Sequence, residues 1–195
     1  MTTTKRNANL LTEGSIPVKM LTFALPLFLG NLFQQLYNVA DSLIVGNFIG
    51  ADALAAVSSS GSLIFLMVGF FNGMSVGAGV VTARYFGARD SKSLERSIHT
   101  TVAFGIAAGL ALMVIGVLGT PLILELMGTP EDVLPSSISY FRTYFLGSVA
   151  FVLYNIFVGI LQSVGDSKRP LIYLIISTIV NIVLDLLFVG VFKWG

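Results

Sequence analysis

Asp41 and Asp185 each interrupt a run of apolar residues long enough to cross a bilayer, Asp41 near the end of the first run and Asp185 near the end of the last. A carboxylate in hydrocarbon is costly, and the default reason for one is an ion or proton pathway. Both have oxygen-bearing neighbours at helical spacing. In the first run Asn31, Gln34, Asn38 and Asp41 recur at steps of three, four and three, which lines one helix face, and Tyr37 stands one turn before Asp41. In the last run Ser177, Asn181 and Asp185 follow one another at single turns. Such a stripe must face other helices or a water-filled cavity, because lipid cannot satisfy it. For the amides, interhelical hydrogen bonding alone is as good an account; for the carboxylates it is a poorer one. Carboxylates, amides and phenols together form a hard, all-oxygen donor set that suits Na⁺ or a shared proton rather than zinc or copper. If the two carboxylates approach in a poorly solvated pocket they repel, and uptake of a cation or proton relieves the repulsion.

The elements that position these groups are membrane helices. The chain is 55% hydrophobic and 11% charged, with a mean hydropathy of +0.88, whereas a soluble domain carries about 25% charged residues. A net charge of +1 gives no basis for nucleic-acid binding, and the lack of cysteine excludes disulfides, thiolate metal sites and a cysteine nucleophile. The first apolar run is too long for a signal-peptide core and has no small-residue cleavage site, so it reads as a retained helix. A span needs roughly 20 apolar residues, and the charge-free stretches predict five, at 17–41, 53–83, 98–124, 133–163 and 169–192. Pro121 and Glu125 are expected to close the third. Nine of the eleven basic residues fall in the N-terminus and alternate loops: Lys5, Arg6, Lys19, Arg84, Arg89, Lys92, Arg96, Lys168 and Arg169. The positive-inside rule then places the N-terminus in the cytoplasm and residue 195 on the external side of a multi-pass cell-membrane protein.

That topology brings the two carboxylates to a common depth. Asp185 lies roughly 22 Å along a helix starting at Pro170 on the cytoplasmic side, and Asp41 lies near the far end of a helix rising from Met20. The fourth span descends from outside, so Tyr140 enters near the same level and Asn155 follows deeper. Pro26, inside the first span, removes a backbone hydrogen bond and is a candidate hinge. Gly69, Gly73 and Gly77, and Gly105 and Gly109, recur every four residues, the spacing that lets helices approach closely in lipid. His99 reads as an interfacial residue, and the GDSKRP turn (Gly165 to Pro170) as a connector.

Several motifs, in order along the chain, resemble one family. LPLFLGNLFQQLYNVADSLIVGNFIGADALAAVS (Leu25 to Ser58) and GAGVVTARYFGARD (Gly77 to Asp90) are similar to the opening helix and the basic loop of multidrug and toxic compound extrusion (MATE) transporters. LQSVGDSKRP (Leu161 to Pro170) resembles the family's Gln-x-x-Gly-Asp turn, and NIVLDLLF (Asn181 to Phe188) its fifth-helix Asn-x-x-x-Asp. The resemblance implies an all-α integral membrane fold of two six-helix lobes around a central cavity, exchanging substrate for Na⁺ or H⁺. In the prokaryotic branch with an acidic N-lobe site, the cation-binding positions map onto Asp41, Asn181 and Asp185, with Tyr37, Tyr140 and Asn155 in the surrounding shell. No other cofactor is implied. The implied partners are the lipid bilayer, small amphipathic or cationic substrates and a C-terminal lobe.

Length is the departure from the pattern. The family has twelve helices, and this chain of 195 residues reaches only the fifth. It is expected to be an incomplete N-terminal lobe, a fragment of a secondary antiporter that exports drugs or organic cations. Other functions fit the same residues less well. A flippase for a lipid-linked precursor, from the same superfamily, would favour basic residues facing a pyrophosphate, and the spans hold none at mid-membrane. An intramembrane enzyme would need a metal cluster or a nucleophile with its base, and the chain has no HExxH, no Gly-x-Ser-x-Gly and no second histidine. A non-transporting structural subunit would tolerate Asp41→Asn together with Asp185→Asn.

Overall fold

The computed structural model describes residues 15–48 and 61–192. The described residues form six α-helices: α1 (Ile16–Phe48), α2 (Gly61–Gly87), α3 (Ser91–Leu126), α4 (Leu134–Leu146), α5 (Ser148–Ser163) and α6 (Lys168–Asp185). A π-helical segment, Leu186–Val191, continues α6. Three stretches are long and apolar enough to cross a membrane alone, Ile16–Ile44, Ser91–Leu126 and Lys168–Val191, and α4 with α5 makes a fourth if the bent pair is one span. The expected second span, 53–83, begins outside the described residues, and α2 is its described part.

Large apolar side chains point outward along every helix, Phe65 (80% exposed) and Leu126 (79%) among them. In water such a surface would aggregate; in a bilayer it is the solvated surface. The interior is correspondingly small. One core cluster joins Met67 of α2, Leu124 of α3 and Phe141 and Phe145 of α4. A second joins Phe71 of α2 to Val152 and Ile156 of α5. Both clusters belong to α2, α3, α4 and α5, while α1 packs chiefly along α6 and its π-helical continuation.

Small residues set the tightest seams of the four-helix block. A Cβ built on Gly105 would run into Ile156, and one on Gly116 into the ring of Phe145. One on Gly109 would lie 2.9 Å from Val149 Cα, a contact that real side chains do not make. Across the α2–α5 seam, a Cβ on Gly159 would strike Ser75 Oγ, and Ser75 Oγ donates to the Asn155 carbonyl at 2.6 Å. The glycine spacing on α3 therefore does what the sequence suggests. That on α2 does not: Gly69, Gly73 and Gly77 have nothing within 4 Å of a built Cβ. The face of α2 that packs is the other one, through Phe71, Ser75, Gly79 and Thr82, all buried.

Three further boundaries differ from expectation. α1 runs on to Phe48, past the predicted end at residue 41. Pro121 does not close α3, which continues to Leu126. A helical proline forfeits one backbone bond, and just upstream Thr120 Oγ1 donates to the Gly116 carbonyl at 2.6 Å inside the core. The predicted single span at 133–163 is two helices meeting at 49°. The break falls at Gly147–Ser148, and Gly/Ser pairs are a recognised cause of sharp kinks. The Gly147 N–H closes a tight turn onto the Tyr144 carbonyl at 3.1 Å. The buried Ser148 hydroxyl lies 2.7 Å from the Phe145 carbonyl and 3.2 Å from the Gly109 carbonyl of α3, so one side chain ties the corner to its neighbour.

Candidate cation site

Asp41 is carried by α1, Asn181 and Asp185 by α6, and these two helices pack together. Their seam includes Gly30, where a Cβ would meet Leu174 Cδ2 at 3.8 Å and Leu171 Cδ1 at 4.0 Å. Asn181 and Asp185 sit one helical turn apart, and both are partly buried. Each holds one buried side-chain oxygen with no hydrogen-bond partner: Oδ1 of Asn181 and Oδ2 of Asp185. Leaving a buried acceptor unsatisfied costs about 1–3 kcal/mol, more when it is charged. Asp41 and Asp185 stand within electrostatic reach of one another. Tyr37 lies within reach of both carboxylates, and Tyr140 of α4 within reach of Asp41 and Tyr37. The structure thus gathers Asp41, Asp185, Tyr37 and Tyr140 from three helices, with Asn181 beside Asp185.

Asn155 is held elsewhere. Its amide nitrogen donates to the Phe151 carbonyl of its own helix at 2.8 Å, and its backbone carbonyl accepts from Ser75 of α2. Among the described residues no hydrogen bond links it to the carboxylates. The single polar stripe expected on α1 divides as well. Tyr37 and Asp41 are partly covered, on the side where Pro26 and Ile44 are buried. Asn31, Gln34 and Asn38 are exposed, and Asn38 Nδ2 donates to Gln35 Oε1 at 3.1 Å. An angular step of about 100° per residue sets Asp41 about 60° from Asn38, enough to separate a covered face from an open one. Ser177, one turn before Asn181, is exposed too.

The chain matches the family model described as MatE over residues 26–187, most of its length. The chain belongs to the MatE family. It is 38% identical over 182 residues to the probable multidrug resistance protein YoeA of Bacillus subtilis, covering 93% of this chain and 39% of that protein. It is 29% identical to the probable multidrug resistance protein YpnP of the same organism, covering 94% of this chain and 41% of that one. Its fold superposes on a MATE crystal structure in the bent conformation with a TM-score of 0.84 and 25% identity, over 91% of this chain and 39% of the other. The chain thus spans about two fifths of the relatives it matches and corresponds to the N-terminal portion of a MatE protein, a multi-pass membrane transporter family and not an enzyme.

Within this MatE chain, two features near the carboxylates escape the motif reading. The first is Tyr144, one turn after Tyr140 with ring centroids 6.5 Å apart, and within electrostatic reach of Tyr37. The second is the π-helical winding that starts directly after Asp185. Wider turns of this kind recur at functional sites. Here the Phe192 N–H bonds the Leu187 carbonyl, five residues back, at 2.9 Å. Outside the spans, Asp90 caps α3 by accepting from the Ser93 N–H at 3.1 Å, and hydrogen bonding from the Ser93 side chain, then from this N–H, holds its carboxyl below the usual carboxylate range. Gly165 takes a left-handed φ of 85° in the turn before α6, and Asp166 caps α6 through the Arg169 N–H while its other oxygen pairs with Arg169 Nε at 3.2 Å. His99 pairs along its own helix with Glu95 at 3.8 Å, both side chains exposed, an acidic neighbour that the interfacial reading overlooked.

Proposed function

We propose that this chain supplies the cation-binding lobe of a secondary antiporter that exports drugs or organic cations in exchange for Na⁺ or H⁺. The observation that carries the reading is the pair of buried oxygens on Asn181 and Asp185, unpartnered among the described residues, on a helix that packs along α1 with Asp185 within electrostatic reach of Asp41. Unmet acceptors beside a second carboxylate form a site that lacks positive charge. The donor set fits a hard monovalent cation: Asp41, Asp185 and the Asn181 amide oxygen would hold Na⁺, or the two carboxylates would share a proton. Among the described residues no group of three or more His, Cys, Asp and Glu side chains gathers as a transition-metal site would. Tyr37 and Tyr140 border the site and can offer oxygen lone pairs to a cation or a hydroxyl to an empty carboxylate.

Coupling follows from charge. Without its cation the carboxylate pair repels across the α1–α6 seam, and with it the two helices can close. The ligand shifts the equilibrium by its differential affinity for the two arrangements. Pro26 in α1 and the π-helical turns after Asp185 flank the site, one on each of the two helices, and each is a place where winding can change. The multidrug names of the relatives favour amphipathic, often cationic substrates, and the distribution of basic residues favours a cytoplasmic N-terminus with residue 195 outside. A full-length transporter carrying this sequence, assayed for cation-driven drug efflux in vesicles, tests the reading. Asp41→Asn and Asp185→Asn should each abolish Na⁺- or H⁺-driven efflux at normal expression. Full efflux in both would make the carboxylates structural.

A further inference from the structure

Helix α4 carries a Tyr–Phe pair twice, one turn apart: Tyr140–Phe141 and Tyr144–Phe145. The two phenylalanines are core residues, 0% and 2% exposed, and Phe145 fills the space opposite Gly116. The two tyrosines occupy the adjacent, half-buried positions and pack against the same core cluster, each ring edge-on to the phenylalanine beside it. If packing were the whole requirement at 140 and 144, phenylalanine would meet it without a hydroxyl to satisfy, as it does at the next position in each pair. The two half-buried positions come within electrostatic reach of residues of α1. Tyr140 lies within electrostatic reach of Asp41, and Tyr144 within reach of both Tyr37 and Tyr140. No hydrogen bond among the described residues engages the Tyr144 hydroxyl. Its backbone carbonyl receives the Gly147 N–H at the 49° corner, so the place of its ring is fixed by the bend that Ser148 ties to α3.

We propose that Tyr144 is a positioning residue of the Asp41–Asp185 site, the one of three phenols farthest from the carboxylates, which orders Tyr37 and Tyr140 over them and so sets the affinity for the coupling cation. The proposal rests on the reading of the carboxylate pair as the cation site and adds to it a residue that no motif marks. The phenol hydroxyl can donate to a neighbouring phenol oxygen and thereby free that neighbour's own hydroxyl for a carboxylate. Such chains strengthen one another at low local dielectric.

The test is cation-driven efflux by the full-length transporter in vesicles, with Na⁺ concentration and pH varied separately at saturating drug, and drug concentration varied at saturating cation. Tyr144→Phe keeps the ring against the core and removes only the hydroxyl. It should raise the half-saturating cation concentration about tenfold, the scale of one hydrogen bond to a charged network, while the drug KM changes less than about twofold. Phe145→Leu, a packing change on the neighbouring core position, should leave the cation dependence where it was. An unchanged cation dependence in Tyr144→Phe overturns the proposal, as does an equal shift in Phe145→Leu, which would assign the effect to packing. Asp41→Asn and Asp185→Asn are run alongside. If they abolish coupling while Tyr144→Phe behaves as wild type, only the role of Tyr144 falls; if they too behave as wild type, the cation-site reading falls with it.

Discussion

The block formed by α2, α3, α4 and α5 and the pair formed by α1 and α6 are built from similar residues and packed by opposite rules. In the block, glycines let backbones meet, aromatic rings fill the remaining space, and hydroxyls are spent on carbonyls: Ser75 on Asn155, Ser148 on Gly109 and Phe145, Thr120 on Gly116. In the pair, α6 buries fully only Pro170, and the buried side-chain oxygens of Asn181 and Asp185 have no partner. The contrast is one of charge and polarity: among the described residues the pair leaves a carboxylate and an amide oxygen unmet, whereas the block leaves only the neutral hydroxyl of Ser137 so.

The sharpest way to break this contrast is to overfill the block. Gly116→Leu would drive a branched side chain into the ring of Phe145, at a position with no room even for a Cβ, and overpacking of this kind costs about 1–3 kcal/mol or more. The expected result is loss of monodisperse folded protein after extraction in detergent. Gly73→Ala, on the open glycine stripe of α2, is the matched control. Nothing lies within 4 Å of its built Cβ, so the substitution should hold or raise thermal stability, by about 0.5–1 kcal/mol from helix propensity. Equal damage from both would mean that the α2 stripe is packed after all.

The pair should respond in the reverse sense. Asp41→Asn and Asp185→Asn should remove the proposed cation coupling without removing a structural bond, because neither carboxylate accepts a hydrogen bond among the described residues. Their melting temperatures in detergent should stay at or above that of the unmodified chain, within about 1 kcal/mol. In the unmodified chain added Na⁺ or lowered pH should raise the melting temperature, and both variants should lose that response. A large loss of stability in either variant would place the carboxylates among the structural groups and erase the distinction between the two regions.

The sequence reveals the chemistry of the site better than the packing around it. Asp41 and Asp185 are conspicuous because an ionised group in an apolar run has few explanations, and Asn181 and Tyr37 follow from helical spacing. Tyr140 follows from topology. Asn155, placed in the shell by the resemblance, turns its amide back to Phe151 in the described structure, and depth along a helix does not say which way a side chain faces. The two glycine stripes share one spacing and differ in outcome. Spacing states which residues lie on a common face, and only the neighbours state whether that face is covered. The break at Gly147–Ser148 passes unseen because both residues are acceptable in an unbroken membrane helix. Its cause is tertiary, the seat of Ser148 against the Gly109 carbonyl. Pro121 misleads in the other direction, since a proline in the last turns of a long helix costs one bond and leaves the rest.

The corner between α4 and α5 offers a graded test of that tertiary cause. Ser148→Ala removes a buried hydroxyl whose acceptors are the Phe145 and Gly109 carbonyls. The Gly109 carbonyl keeps its helical partner, so the loss should be close to that of one ordinary hydrogen bond, about 1 kcal/mol. Thermal unfolding of the chain in detergent measures it. A neutral result would shift responsibility for the bend to Gly147 and to the packing of Phe145.

The smallest expected effect lies outside the membrane, at the start of α3. Asp90 accepts from the Ser93 N–H, and hydrogen bonding from the Ser93 side chain, with this backbone bond second, lowers its carboxyl below the ordinary carboxylate range in the folded protein. A group whose folded value is depressed contributes stability above its unfolded value, near 3.9, and loses it as pH falls through the folded value. Asparagine keeps a capping oxygen but carries no charge to favour the helix N-terminus. The unmodified chain should therefore melt slightly above Asp90→Asn at neutral pH. The difference should close as the pH drops below about 4, in buffers of low ionic strength where the helix dipole is least screened. A gap that widened on acidification would reverse the sign and remove Asp90 from the cap. A gap that closed would confine the effect to this exposed turn, leaving the Na⁺ and proton responses of the α1–α6 pair to be read without a contribution from it.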